Sequence, residues 1–302
     1  MNNKRRLFST LLCVAALTAG LFVSGCGSDK AGGIGSVVSS GVDGGSDEKA
    51  AAKLNTLIDA TNRFNGDNAT WGQNYADSLA KLKGGFQEGA IGRQPHYDTL
   101  KEALEQSKKE GSTFKEVDTE RDNVLNILNE LVPTFKDLKA YDDSKAYMND
   151  GGAKGKELAA KYVAQVEKFD AAYAKFNDAL NKANTEQTKK QIEKLKKDGK
   201  KGYAAAMEST LRLTTLVENV EKAPKNADKQ AVEKELNEIQ TLLKSINNDR
   251  GEVLVNSYNS VVGSVRQVLN DANENNLNDM IENFNNYIES YNNTTPDQFD
   301  SK

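Results

Sequence analysis

The sequence predicts an all-α protein: an elongated antiparallel helical bundle behind a lipoprotein signal and a flexible tether. Three observations carry this. From residue 47 onward, apolar residues recur at spacings of three and four, the period of a helix with one buried face. Runs of Val, Ile and Thr at period two, which mark half-buried strands, are absent. Four prolines in 302 residues and 7% aromatics, set against abundant Ala, Lys, Glu, Asn and Leu, suit helices better than sheets.

The chain opens with Lys4, Arg5 and Arg6, followed by an apolar run from Leu7 to Val23, the layout of an export signal. The run is short for a membrane span of roughly 20 residues, and Thr10, Thr18 and Gly20 dilute it. It closes on Val23-Ser24-Gly25-Cys26, which looks like a lipobox. That resemblance implies cleavage before Cys26 and fatty acylation, with chains such as palmitate, on its thiol and the new amino terminus. Residues 1–25 are therefore read as a cleaved signal and Cys26 as the lipidation site. Residues 26–46 are rich in Gly and Ser and nearly free of large side chains, so they are expected to stay unfolded as a tether. About 20 such residues reach roughly 25 Å root-mean-square, from ~5–6 Å × √n. A single acyl chain holds weakly, and more than one gives a stable anchor.

The removed 25 residues carry three positive charges and no acid, which moves the net charge from −4 to −7. That excludes nucleic acid as the expected partner, since its binding needs a basic footprint. Cys13 leaves with the signal and Cys26 takes the lipid, so the folded part has no thiol for a disulfide or metal. It must hold by packing alone.

The folded region is assigned to residues 47–293. Leu54, Leu57, Ile58, Thr61 and Phe64 share one face, and Gly66 is expected to end that helix. A second runs from Asn68 or Thr70 through Trp71, Tyr75, Leu79 and Leu82 to Gly84-Gly85. A loop to Gln94 follows, and Pro95 suits the first turn of a helix bearing Tyr97, Leu100 and Leu104. Thr113 and Glu116 have capping-box spacing ahead of a long stripe from Val117 to Leu138, broken only by Arg121. Pro133 should kink or split that helix. Leu158 to Leu180 forms the next stripe, with a break expected at Asn184-Thr185. A further long helix is expected from Ile192 to Val220, weakened by Gly199 and Gly202 and ended by Pro224. Val232 to Ile246 should form a helix closed by Gly251. Leu254 to Ala272 and Leu277 to Tyr291 make the last two, and residues 294–302 are expected to fray as a polar tail. A near four-helix half and a second half around the long helices are the subdivisions the pattern allows.

The run from Tyr141 to Leu158, followed by Phe169-Asp170-Ala171-Ala172-Tyr173, resembles the centre of the YiiG-like family of bacterial helical lipoproteins of unknown function. The resemblance extends over residues 50 to 292. It implies an all-α envelope lipoprotein and offers no catalytic residue to carry over.

No catalytic pattern stands out. His96 is the only histidine, and zinc usually needs several His or Cys ligands. No serine sits in GxSxG and no phosphate-loop glycine pattern occurs. The Asn149-Asp150-Gly151-Gly152 stretch lacks the alternating ligands of a calcium loop and reads as a tight turn. No cofactor and no metal are therefore expected, and the chain is read as a non-enzyme. Trp71, Tyr141, Tyr147, Tyr162 and Tyr173 are the candidate lining of a ligand groove, because rings with polar tips often line one. The competing reading is core, where aromatics at helical spacing more often fall.

The expected role is a lipid-anchored interaction or structural module of the bacterial envelope, with the membrane and an envelope protein as partners. The alternative is a binding protein for an envelope glycan or peptide. Gly27 stands where enteric-type sorting would place an inner-membrane Asp, so the outer membrane is favoured.

Overall fold

The computed structural model describes residues 46–69, 72–92, 94–111 and 114–301. The leader, Cys26 and the tether up to residue 45 lie outside them, as do Trp71 and Thr113; Ser46, expected in the tether, is the first residue of a helix. Among the described residues there are eleven α-helices and no strand. They are α1 (Ser46–Ala69), α2 (Gly72–Lys83), α3 (Tyr97–Lys109), α4 (Lys115–Asp143), α5 (Tyr147–Asp150) and α6 (Ala153–Lys197), then α7 (Lys201–Lys222), α8 (Lys229–Lys244), α9 (Asp249–Asn270), α10 (Glu274–Asn292) and α11 (Pro296–Asp300). None is long and apolar enough to cross a membrane. Two compact units result, one from Ala50 to Glu186 and one from Gln187 to Lys302, and the division falls inside α6.

The first unit buries the stripes of α1, α2, α3, α4 and the first part of α6 in one core, with Leu57, Ile58, Leu104, Leu128, Leu138, Val166 and Phe176 fully enclosed. Burial of that kind is worth about 1.5–3 kcal/mol per large side chain and is what holds such helices in water. Arg121, the one charge within the α4 stripe, is buried. Asp118 and Asp122 of its own helix pair with it at 3.0 and 3.1 Å, and Asp122 also accepts from Lys108 of α3 at 3.0 Å. A buried charge is tolerated when paired in this way. The loop after α2 is tied down by Ser78, whose hydroxyl donates to the Ala90 carbonyl at 2.6 Å and accepts from the Gly92 amide at 2.9 Å.

The second unit packs α7 with α8 and α10, and α9 with α8 and α10. Tyr258 and Tyr287 are fully buried there. Their hydroxyls are satisfied by the Leu236 carbonyl and, at 3.0 Å, by Thr210. Two arginine forks brace the exposed side of α8. Arg212 of α7 reaches Glu235 at 2.6 and 2.7 Å, and Arg266 of α9 reaches Glu233 at 2.8 and 2.7 Å.

Several sequence signals for helix ends are overridden. α1 runs through Gly66, where an added Cβ would meet nothing; the position is exposed and the buried Phe64 face carries the helix past it. α4 is not split at Pro133, whose lost N–H bond is outweighed by buried Leu131, Thr134 and Leu138 around it. α6 continues through Asn184-Thr185, because Asn184 and Thr188 turn inward beside Ala183. The break comes instead at Gly199, with φ of 79°. There the Lys200 amide reaches back to Leu195 and the Gly199 amide to Lys196, a Schellman closure. Gly251 does not close α8. It lies in the first turn of α9, capped by Asn248, where an added Cβ would stand 2.1 Å from the Ile246 carbonyl oxygen. Pro95 lies just before α3, and exposed His96 takes the N-cap position.

The chain end is the largest correction. Residues 294–301 do not form a frayed tail. Thr295 and Gln298 close a capping box on α11, and Phe299 is buried between Tyr203 and Tyr291, stacked on both. Asp300 accepts the Gly202 amide at 2.7 Å and the Tyr203 amide at 3.3 Å, so a carboxylate sits on the positive end of α7. A Cβ on Gly202 would stand 2.0 Å from the Phe299 carbonyl oxygen. Backbone cannot swing aside as a side chain can, so Gly202→Ala is expected to expel α11. The expected loss is about 1–3 kcal/mol, read as a lower urea midpoint.

Candidate functional site

The Tyr141–Leu158 run folds as the corner between α4, α5 and α6. α4 ends in a second Schellman closure, with the Ala146 amide bonded to Tyr141 and the Lys145 amide to Asp142. The residue forced into the left-handed region is Lys145, at φ 54°, the only non-glycine among the described residues to adopt it. Gly151 and Gly152, at φ 62° and 84°, then turn the chain into α6.

Asp150 gathers this corner. One carboxylate oxygen accepts the Tyr141 hydroxyl at 2.5 Å and the Gly152 amide at 2.9 Å, and the other accepts the Lys154 amide at 3.0 Å. The Tyr141 bond and those amides hold its carboxyl below the ordinary range, so it stays ionised, and it caps the start of α6. Phe86 packs on Tyr141 at 5.1 Å and on Tyr147 at 5.8 Å. Gly155 is enclosed by the same rings: a Cβ there would lie 2.5 Å from Tyr141 and 2.6 Å from Phe86. Glu88 stands against the Tyr147 hydroxyl and raises it to about 12. Beside these rings Met148 is 72% exposed, the most exposed large apolar side chain described. The corner thus offers a fixed aromatic base with a thioether on its surface.

Tyr162 and Tyr173 belong to a different group of rings in the same unit. Phe64, Tyr97, Phe169 and Tyr173 pack at 4.9–5.9 Å, and Phe135 meets Tyr162 at 5.6 Å. Tyr75 and Tyr97 share a hydrogen bond of 2.8 Å, Tyr162 donates to the side-chain oxygen of Gln94, and Tyr173 donates to Asn65 at 3.0 Å. Burial pushes all four hydroxyls well up, so they are donors and not bases at neutral pH. Of the five aromatic residues singled out in the sequence, the structure therefore joins Tyr141 with Tyr147 through Phe86, and sets Tyr162 and Tyr173 among other rings. Trp71 and Cys26 fall outside the described residues. Phe86 escaped the sequence reading because it sits in a Gly-rich loop without periodicity. Its one sequence signal is an aromatic where a solvated loop has no use for it.

Among the described residues no group of three or more His, Asp or Glu could hold a metal. A shallow surface depression on α6 is lined by Lys189, Lys190, Glu193, Lys194, Lys197 and Asp198, and mixed charge on a single helix encloses nothing.

A family model described as a protein of unknown function, DUF3829, matches residues 48–278. The chain belongs to this family. The DUF3829 match takes in the whole corner and stops within α10, before Phe299 and Asp300. No curated protein and no solved structure matches the chain.

Two predictions come from these groups. Glycine tolerates the left-handed region that Lys145 occupies, so Lys145→Gly should raise stability by about 1 kcal/mol, read in thermal unfolding. Asp170, part-buried beside Lys83 and Glu167, is raised by burial from 3.8 to about 6. Because the folded state holds this proton more tightly, its contribution to stability is full below pH 4 and is lost as pH rises through 6. Asp170→Asn should stabilise the protein at pH 7.5 by roughly 1–2 kcal/mol, discounted for partial exposure, and leave it unchanged below pH 4. Urea midpoints at the two pH values check this.

Proposed function

We propose that this DUF3829 protein is a lipoprotein of the bacterial envelope, held to a membrane through acylated Cys26, with a helical interaction module and no enzymatic activity. One observation carries the reading: a small-residue pair and cysteine directly after a basic-then-apolar leader, with a Gly- and Ser-rich tether behind it. The likeness of the Tyr141–Leu158 run to YiiG-like lipoproteins supports it. Three acyl chains on one residue would make the attachment close to permanent, since each buried CH₂ adds about 0.8 kcal/mol. The outer membrane is the favoured site, from Gly27 after the cysteine.

The interaction reading is preferred to the aromatic groove because Tyr141 and Tyr162 are buried, at 6% and 0% exposure, and spend their hydroxyls on neighbours in the chain. What remains for a partner is surface, and the corner bearing Met148 presents the most exposed large apolar side chain described.

Mass spectrometry of the membrane-extracted protein tests the anchor. The expected product begins at Cys26 and carries a diacylglyceryl group and an amide-linked acyl chain. Cys26→Ala should leave the protein unacylated and the leader uncut before residue 26. An unmodified thiol at Cys26, or cleavage elsewhere, overturns the reading.

A further inference from the structure

The end of the chain is bound as a ligand would be. Its receptor is built from three helices of the second unit and reads three different chemical features. Tyr203 of α7 and Tyr291 of α10 stack on either side of the Phe299 ring, with centroids 5.9 and 6.0 Å away. The Gly202 and Tyr203 amides take the Asp300 carboxylate. Asn248, before α9, donates its side-chain amide to the carbonyls of Gln298, Phe299 and Ser301 at 3.0–3.1 Å, while its oxygen caps α9 through the Arg250 and Gly251 amides. Lys200 adds an ion pair with exposed Asp297 at 2.9 Å. Gly202 leaves the space through which the bound backbone approaches.

We propose that this receptor is a peptide-binding site for a one-turn segment carrying Phe followed by Asp, and that residues 296–301 of the same chain occupy it until another polypeptide supplies the same segment. Two features make the bound segment exchangeable. Only Phe299 among residues 296–301 is fully buried. Its link to α10 is three residues, Asn293 to Thr295. A one-turn helix with a single buried side chain opens more often than a helix bundle unfolds. The family match ends at residue 278, so α11 lies outside the part of the chain that defines the family. The site gives the interaction reading above a concrete contact, but it stands without the lipid anchor, because the test below never uses the anchor.

The probe is a fluorescein-labelled peptide of residues 293–302, titrated into full-length protein in detergent and followed by fluorescence polarisation. The receptor is the Phe299→Ala, Asp300→Ala double variant, which loosens the resident segment and leaves every receptor residue in place. Binding at least tenfold tighter than to the wild type is expected. Adding Gly202→Ala should abolish it, as should Phe299→Ala in the peptide. No binding to a double variant with native circular dichroism overturns the proposal. A failed anchor with intact peptide binding would sink the lipoprotein reading and leave this one standing. Should the double variant not fold, hydrogen exchange on the wild type decides. The Gly202 and Tyr203 amides should exchange together with those of α11, ahead of the α9 amides around Val261 and Val265. Exchange of all of them only on global unfolding would make α11 permanent core and end the idea. A wild-type dimer that Phe299→Ala dissolves would identify a second copy of this chain as the donor of the segment.

Discussion

A helix with one narrow apolar stripe is marginal by itself in water, and this chain is made almost wholly of such helices. Each stripe has to be covered by another. That requirement explains the placement of polar groups within the cores. Arg121 can lie in the α4 stripe because two aspartates of its own helix neutralise it there. Tyrosine can lie fully buried in the second unit because its own hydroxyl finds a partner there, the Leu236 carbonyl for Tyr258 and Thr210 for Tyr287. Packing is also strong enough to carry helices across residues that would end them in isolation.

How far the sequence could be read follows from that last point. The stripes were legible because period is a local property, and Leu128, Val166, Leu243 and Phe284 lie where the spacing places them. Helix ends were less so. Gly66, Pro133 and Asn184-Thr185 are stop signals with local costs of about one to three kcal/mol, and contacts between helices exceed them. Gly199 stops a helix because nothing packs over it and its left-handed geometry is used. The docking of α11 was missed since its receptor is far away in sequence: Asn248 is about fifty residues from the carbonyls it holds. A local clue existed in Thr295-Pro296 with Gln298, a helix start in what looked like a tail.

The two Schellman closures make a useful contrast. At Gly199 the geometry falls on glycine and costs little. At Lys145 the same closure falls on a residue with a side chain, within the span of the family match, and close to Asp150, whose carboxylate joins the Tyr141 hydroxyl of α4 to the Gly152 and Lys154 amides at the start of α6. The second corner is therefore held from outside the turn, by Asp150 and the Phe86 rings, where the first is held by its own backbone.

Met148 has a chemical consequence of its own. The sulfur atoms of Met207 and Met280 are sealed in the second core, at 0% exposure, while that of Met148 faces the solvent. An oxidant meeting the folded protein would convert Met148 to its sulfoxide first and leave the other two reduced. That change makes an apolar knob polar without opening a cavity. The corner would lose its stickiness and the bundle would not notice, so surface chemistry and fold stability are decoupled at this residue.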